Sequence, residues 1–283
     1  MKIITDIACI DYERPGHPER PQRVSATLDR LKSLTDLDLE FVQPTGPDLV
    51  SVELVHPASF VESLNAAEDF DVDTPAHSGI QTHALRAVSG ALNAMDSSMA
   101  GTPALSLLRP PGHHACAETA MGFCYLNQIA IAAVAAAAEG KRVGILDFDV
   151  HHGNGTEAII LGRENLLYAS AHQSPAYPGT GMHTRENCKN YPVRPNASRE
   201  DFAEAVKRGF DDILDFKPDI IAVSAGFDAF RGDPLAQENL EGEDYFNIGR
   251  ALKDCGIPVF SVLEGGYSDE LPDLVVSYLK GLS

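Results

Sequence analysis

The feature that most constrains the fold is an alternation of short apolar runs with longer amphipathic or alanine-rich stretches. The runs Val143–Phe148, Asp219–Ser224 and Pro258–Leu263 are mostly apolar, as expected of strands that are covered on both faces. The stretch Arg199–Phe216, with an N-cap at Ser198, has the spacing of an amphipathic helix. The alternation predicts an α/β fold, with a predominantly parallel multi-stranded sheet and helices on both faces.

Further strands and helices complete this prediction. The other predicted strands are the N-terminal segment Met1–Ile10, Leu39–Val42, Ala104–Leu108 and Leu166–Ser170. The other predicted helices are Pro21–Leu34, Ile80–Met95, Tyr125–Glu139, Gly155–Leu161, Asp244–Cys255 and Leu271–Leu279. No linker-like composition and no internal repeat divides the chain, so we predict a single domain.

The amino-acid composition excludes several classes of function before any motif is considered. The chain carries 22 Lys and Arg residues against 41 Asp and Glu residues, a net charge of −19. This balance argues against a nucleic-acid partner, because phosphate binding needs clustered basic residues, and it suits a cationic ligand. Five cysteines without a CxxC pair predict neither a disulfide framework nor a Cys-rich zinc module.

Targeting signals are not apparent in the sequence. The most apolar run, Ile129–Ala138, is much shorter than the roughly 20 residues that cross a bilayer. The N-terminal segment is interrupted by Asp6 and lacks the apolar core of a signal peptide. We therefore predict a cytoplasmic protein, in a reducing compartment, that contacts no membrane.

Unusual polar residues follow four of the predicted strands. The sequence RPPGHHA follows Leu108, and DFDVHHGNGT surrounds the strand end at Phe148. AGFDAFRGDP follows Ser224, and EGGY follows Leu263. Ligands of parallel α/β sheets bind beyond the carboxyl ends of the strands, so we expect these segments to converge on one site.

Three of these residues form a candidate metal site. Asp149 and His151 are two positions apart at a strand end, so their side chains point to the same side. Asp228, after another strand, supplies a third ligand. Two carboxylates and one imidazole leave an open position on Zn²⁺, as in catalytic sites, although Fe²⁺ could occupy the same set. The alternative is a buried, hydrogen-bonded Asp–His pair.

Two adjacent histidines are candidates for proton transfer. One of His113 and His114 could take a proton from metal-bound water, and the other could stabilise charge. Each imidazole needs an orienting partner on its far nitrogen, and Asp147 and Asn154 flank the metal motif. For Asp147 the alternative is a carboxylate that caps a loop.

The EGGY segment can contribute to both binding and chemistry. Gly265 and Gly266 let the backbone pass close to a ligand. The hydroxyl group of Tyr267 could then donate a hydrogen bond to a developing oxyanion. Alone this motif is weak, because a turn with Tyr after two glycines is common.

Together the motifs resemble the zinc-dependent histone deacetylases, within the arginase/deacetylase fold. The resemblance runs from GHPERPQRV (Gly16–Val24) to LEGGY (Leu263–Tyr267), with the motifs in the family's order. RPPGHHA, DVHHGNGT and EGGY are similar to the class II-like bacterial amidohydrolases, whereas class I members usually carry Asp at the position of Asn154. The resemblance implies that residues 1–283 form one deacetylase-type catalytic domain. Arginases of this fold bind a second metal ion with carboxylates at the positions of Gly153 and Phe230, so only one zinc ion is expected here.

The resemblance implies a role for each site residue. His114 would be the general base and later the acid, His113 its electrostatic partner, and Tyr267 the group that polarises the acyl carbonyl with the metal. Asp147 would orient His113, and Asn154 would sit behind His114. One zinc ion would be held by three ligands, Asp149, His151 and Asp228.

The resemblance also implies contacts beyond the reacting atoms. Arg23 resembles a residue of an internal cavity that is associated with acetate release. K⁺ would bind beside the zinc through the side chains of Asp147 and Ser170. The residues expected around the substrate are the rim residue Asp73, the aromatic walls Phe123 and Tyr177 (the latter usually Phe), and the glycines Gly122, Gly265 and Gly266.

Several substrate classes remain open at this stage. An acetylated lysine peptide or protein is favoured, because Leu235 follows GDP where the vertebrate polyamine-specific branch of the family carries Glu. A small acetylated amine such as an acetylpolyamine is the alternative, and another amide is a third possibility. A non-catalytic acyl-lysine binding protein is a remote alternative, because the full set of catalytic residues is present. The sequence does not indicate the oligomeric state.

The remaining histidines are given structural roles. We expect His77 and His83, at a helix start, to be exposed, and His152 to be a buried hydrogen-bonding residue. His17 and His56 each precede a proline and are interpreted as structural, with a possible rim position for His17.

Overall fold

The computed structural model describes residues 1–46 and 48–283. Within these ranges, eight strands form one sheet in which every neighbouring pair runs parallel. The strands are β1 (Lys2–Ile4), β2 (Glu40–Val42), β3 (Ala104–Ser106), β4 (Val143–Asp147), β5 (Leu166–Gln173), β6 (Cys188–Val193), β7 (Ile220–Ala225) and β8 (Val259–Leu263). Across the sheet their order is β2-β1-β3-β8-β7-β4-β5-β6.

Nine α-helices and one short 3₁₀ helix, Ile7–Ile10, are found in the same described ranges. The α-helices are α1 (Gln22–Lys32), α2 (Leu49–Glu53), α3 (Ala58–Ser63), α4 (Ile80–Met99), α5 (Gln128–Ala138), α6 (Asn154–Ile160), α7 (Arg199–Phe216), α8 (Gly242–Asp254) and α9 (Leu271–Leu282). Within the part of the chain that is described, none of these helices combines the length and apolar character needed to cross a membrane.

The two faces of the sheet are buried in separate cores. Val143 and Ile145 of β4 belong to one core, whereas Leu146 belongs to the other. The same alternation recurs along β7 and β8, because successive side chains of a strand point to opposite faces. Helices α2 to α5 supply residues to the first core, and α1, α7, α8 and α9 to the second. The α/β architecture with helices on both faces is therefore confirmed.

Two of the differences between the predicted and the observed boundaries come from side-chain capping. Helix α5 begins at Gln128 rather than Tyr125, because the Asn127 side chain caps it by accepting a hydrogen bond from the Ala130 amide. The N-terminal strand ends at Ile4, because the Asp6 side chain caps the 3₁₀ helix that follows. The short elements α2, α3 and β6 were not predicted.

The strand order determines where the site forms. The chain leaves β3 and returns at β4, and the later strands β8 and β7 fill the space between them. The ends of these four strands lie at one level, since Ser106 pairs with Val262, Val262 with Ser224, and Ser224 with Asp147. The four polar segments predicted to converge therefore start side by side.

Candidate active site

The candidate metal ligands come from the segments that follow β4 and β7. Asp149 and Asp228 are fully buried, and the Nδ1 atom of His151 lies 3.3 Å from Asp149 Oδ1 and 3.0 Å from Asp228 Oδ2. One potential ligand atom from each residue lies within 4.8 Å of the other two. Among the residues that the structure describes, no other set of three such side chains meets this criterion.

Backbone amides hold the two carboxylates in place. The amide of Val150 donates to Asp228 Oδ1 over 2.9 Å, and the amide of Gly265 donates to Asp149 Oδ2 over 2.7 Å. A side chain at Gly265 would not fit, because its Cβ atom would lie 2.1 Å from Asp228 Oδ2. The backbone at Gly265 thus passes close to the carboxylates of the candidate metal ligands.

The charge of this group suits a divalent cation. Burial raises the pKa of Asp228 to about 7, and the negative charge of Asp149 adds to the effect. A cation between the carboxylates would relieve this repulsion. Two carboxylate oxygens and one imidazole nitrogen are ligands that Zn²⁺ accepts, and three protein ligands leave a position open. The residues therefore fit a catalytic zinc ion.

The two adjacent histidines lie beside this group with their ring centroids 4.0 Å apart. His113 Nδ1 lies 3.1 Å from Asp147 Oδ2, which also accepts a hydrogen bond from the Tyr168 hydroxyl group over 2.9 Å. His114 Nδ1 lies 2.8 Å from Asn154 Oδ1. Because that oxygen can only accept, the Nδ1 atom of His114 carries the proton, and the Nε2 lone pair is left free.

The surroundings shift the pKa values of the two imidazoles in opposite directions. Burial alone would lower the pKa of His113, but the charges of Asp149 and Asp147 outweigh it and raise the pKa to about 10. Burial and the positive charges of His113 and His151 hold the pKa of His114 well below its usual value. The site therefore pairs a charged imidazole with a neutral one, the combination that an electrostatic partner and a general base require.

A cavity of about 360 Å³ leads to these groups. Phe123 and Tyr177 line it as aromatic walls, and the ring of Tyr177 stands edge-on to His114 at 5.0 Å. Gly122 has a φ of +57°, and a Cβ atom there would lie 2.6 Å from the His114 ring and 2.9 Å from Tyr177. The cavity is lined by His17, Pro18, Asp73, His114, Gly122, Phe123, His151, Tyr177, Leu235 and Tyr267.

Tyr267 lies at the junction of the cavity and the protein interior. Its ring is 5.7 Å from that of Phe123, and the Arg23 guanidinium group lies 4.8 Å from its centroid. Its amide donates to Asp233 over 2.7 Å, and Arg23 Nε donates to the Gly266 carbonyl over 2.7 Å. Arg23 therefore contacts Tyr267 but is absent from the described lining of the cavity.

The two residues expected to bind K⁺ are register partners on neighbouring strands. Asp147 of β4 pairs with Ser170 of β5, and both are fully buried. The Ser170 hydroxyl group lies 2.9 Å from His172 Nδ1, and the Asp147 carboxylate accepts from the Asp149 amide and from Tyr168. The potassium site stays a prediction.

The structure corrects two histidine assignments and adds detail to others. His77 is half-buried rather than exposed, with its ring centroid 5.0 Å from that of Tyr12. His83 is buried rather than exposed, because it packs against Tyr12 at 4.8 Å between ring centroids. His152 is buried and contacts Thr180 and Glu157, as predicted. His17 lines the mouth of the cavity.

Sequence reasoning missed three charged residues that support the site. Glu264 accepts hydrogen bonds from the amides of Gly112 and His113. Glu19 and Arg109 form a buried ion pair with an Nε–Oε1 distance of 2.5 Å. All three lie inside motifs that the sequence analysis quoted or used. Their place inside these motifs was the available signal.

Comparison with known proteins gives a consistent result. The family model described as the histone deacetylase domain matches residues 17–282. The chain is 35% identical to a histone deacetylase-like amidohydrolase and 31% identical to acetylpolyamine amidohydrolase 2, both from Pseudomonas aeruginosa. These matches cover 90% and 93% of this chain, and 73% and 90% of the two relatives. The crystal structure of an acetylpolyamine aminohydrolase from Burkholderia pseudomallei superposes with a TM-score of 0.91 at 25% identity, over 99% of this chain and 98% of the other.

Proposed function

Because this chain belongs to the histone deacetylase family of deacetylases and amidohydrolases, we propose that it is a zinc-dependent enzyme that removes acetyl or other short acyl groups from lysine-type amines. The observation that carries this proposal is the convergence of Asp149, His151 and Asp228 beside a neutral, oriented His114 at the end of an aromatic-walled cavity. Zn²⁺ held by these three residues would supply a Lewis acid for the amide oxygen and an acidified water molecule.

The protein's own groups would carry out the proton transfers. His114 Nε2 would remove a proton from the attacking water and then deliver it to the leaving amine. Asn154 would keep the His114 proton on Nδ1 throughout. His113, charged and held by Asp147, would stabilise the negative charge that develops beside it.

Tyr267 and the cavity walls would act on the acyl group and the chain of the amine. The Tyr267 hydroxyl group would donate a hydrogen bond to the oxygen that becomes negatively charged. Phe123 and Tyr177 would hold the methylene chain between them, with Gly122 beside them, and Asp73 would bind the substrate at the mouth. Gly265 and Gly266 would let the backbone approach the reacting group. We also assign K⁺ to Asp147 and Ser170, and acetate release to the region of Arg23.

Two substrate classes compete for this site. Leu235 lines the cavity and is 37% exposed, so the mouth presents an apolar side chain at the position where the vertebrate polyamine-specific branch of the family carries Glu. This observation favours an acetylated lysine side chain. The similarity to acetylpolyamine amidohydrolases favours a small acetylated amine instead, which the net charge of −19 also suits.

Acetate release decides between these substrates. The zinc-loaded protein is given an acetyl-lysine peptide and acetylspermidine in parallel, with Tyr267→Phe as the test variant. We expect the peptide to be preferred, and kcat to fall by about 10²- to 10³-fold in Tyr267→Phe, because one oxyanion donor is lost. A preference for acetylspermidine would overturn the lysine assignment. No turnover of either substrate with zinc bound would favour a binding protein or another amide.

A further inference from the structure

Glu264 joins the segments that follow three neighbouring strands. It follows β8 directly, is fully buried, and precedes Gly265. Its Oε2 atom accepts hydrogen bonds from the amides of Gly112 (2.7 Å) and His113 (3.2 Å), in the segment after β3. Its Oε1 atom accepts from the hydroxyl group of Ser224 in β7 over 3.1 Å. A single carboxyl group thus fixes the backbone from which His113 and His114 project.

The same short stretch of chain also fixes the metal ligands and Tyr267. The amide of Gly265 donates to Asp149, and the carbonyl groups of Glu264 and Gly266 accept hydrogen bonds from Arg23. The histidine-bearing segment and the metal ligands are therefore held by consecutive residues. A shift of the Glu264 side chain would move the histidines relative to both the metal site and Tyr267.

The histidine-bearing segment has little freedom to settle elsewhere. A Cβ atom at Gly112 would lie 2.9 Å from the Leu126 carbonyl oxygen and 3.0 Å from Gln128, so the backbone is confined on that side. Without the Glu264 side chain, two buried amides would lose their acceptor, and a buried donor without a partner is unfavourable. The segment would then move to find other partners.

We propose that Glu264 is a positioning residue, which sets the distance of His113 and His114 from the metal ligands and Tyr267 by binding the backbone before them. This inference rests on the proposed function. It requires the shape and the acceptor oxygens of the side chain, because all three of its hydrogen-bond partners are uncharged donors. Glutamine has the same length, keeps one oxygen for the two amides, and its amide can donate to the Ser224 hydroxyl oxygen.

The test compares Glu264→Ala, Glu264→Gln and Glu264→Asp, with Ser224→Ala as the control that leaves both amides bonded. We expect kcat to fall by about 100-fold in Glu264→Ala, because displacement of about 1 Å is enough for such a loss, with KM changed less than about threefold. Glu264→Asp keeps the charge but is one methylene shorter, so it should also lose activity. Glu264→Gln should keep most of the activity.

A second measurement does not depend on catalysis. In imidazole ¹H–¹⁵N spectra of the metal-free protein, the resonances of His114 should shift in Glu264→Ala and Glu264→Asp but stay in place in Glu264→Gln. His114 is the reporter because the charge of Glu264 acts on the pKa of His113 directly. Unchanged kcat in the Ala variant, or equal losses in the Gln and Asp variants, would overturn the inference. If Glu264→Ala does not fold, the difference in kcat between Glu264→Gln and Glu264→Asp tests the inference. A wild-type enzyme without turnover would refute the proposed function, and the spectra would still test the positioning role.

Discussion

The protein contains two clusters of buried charge that are built in opposite ways. The N-terminal charge cluster consists of Tyr12, Glu19, Arg23 and Arg109, and the carboxylate cluster consists of Asp147, Asp149 and Asp228. All three nitrogens of Arg109 donate hydrogen bonds, to the Glu19 carboxylate and to carbonyl groups nearby. By contrast, no Lys or Arg side chain in the described residues forms a salt bridge with the carboxylate cluster.

The difference distinguishes a structural cluster from a binding site. Burial alone would raise the pKa of Glu19, but the Arg109 and Arg23 guanidinium groups lower it to about 2. Opposite charges compensate this cluster without any ligand. In the carboxylate cluster the compensating charges are those of histidines only. His113 and His151 lower the pKa of Asp149, while the pKa of Asp228 stays raised. Such a group gains most from a bound cation, so metal should affect the two clusters very differently.

The largest expected effect is the loss of this cation site. Asp228→Ala removes one of three ligands, so we expect activity to fall by more than about 10³-fold and bound zinc to be lost. Zinc should also stabilise the wild-type protein, by about 4 kcal/mol at a thousand times its Kd, and should have no such effect on the variant. Acetate release, metal content and thermal unfolding measure these changes. The exposed variant Asp269→Ala is the control, and zinc-dependent stabilisation of Asp228→Ala would contradict the assignment.

A substitution in the N-terminal charge cluster should lower the free energy of unfolding and leave zinc binding unchanged. Glu19→Gln leaves the buried Arg109 without its counter-charge, which typically costs about 3–5 kcal/mol. We expect the free energy of unfolding to fall by a similar amount with and without zinc. Denaturant unfolding of both forms measures this.

The control for this variant is Asp69→Asn, which breaks the exposed Arg14–Asp69 pair and should cost less than about 1 kcal/mol. If Glu19→Gln weakened zinc binding but not unfolding stability, the distinction between the two clusters would fail.

These contrasts also explain what the sequence could and could not predict. Asp149, His151, Asp228 and the two histidines were identifiable because chemically unusual residues follow apolar strands, and parallel strands end at one edge. The partnership of Glu19 with Arg109 was not, because 90 residues separate them and either could have been a solvated surface charge. Only the packed structure decides which charged residues meet.

The same reasoning applies to the secondary structure. The long helix Arg199–Phe216 was predicted to the residue, because its cap and its apolar spacing are both local. Strand β6 was missed because Lys189 and Asn190 are polar and Pro192 has no N–H group to donate. Such a strand is tolerated at the sheet edge, where β6 pairs with β5 alone. His83 was placed outside because the pattern of one helix does not show that Tyr12 covers it.

A smaller effect is expected when negative charge is added to the site. Asn154→Asp puts a carboxylate against His114 Nδ1, in the arrangement that Asp147 already has with His113. A carboxylate stabilises the protonated imidazole, so the pKa of His114 should rise. The base must be unprotonated, and the acid limb of the kcat profile should therefore move up by about one pH unit, with about a tenfold loss below it. An unshifted acid limb would show that another group controls it.

The smallest effect is expected at a buried carboxyl group that lies outside both clusters and has no compensating charge. Glu238 is 2% exposed, and neither of its carboxyl oxygens has a hydrogen-bond partner among the described residues. Burial raises its pKa to about 7, and the charge of Asp201 adds to this. Because the pKa is higher in the folded than in the unfolded chain, its contribution to stability is present in acid and is lost as the pH rises from about 4.5 through 7.

Glu238→Gln removes that titration. We expect it to be close to neutral near pH 4 and to stabilise the protein by at least about 1 kcal/mol at pH 8, since one pKa unit corresponds to about 1.4 kcal/mol. Denaturant unfolding at both pH values measures the difference, with the exposed Glu164→Gln as the matched control. A stabilisation that did not depend on pH would mean that packing, not an uncompensated charge, sets the stability at this position. The contrast between compensated and uncompensated carboxylates would then hold only where histidines or a metal ion are near.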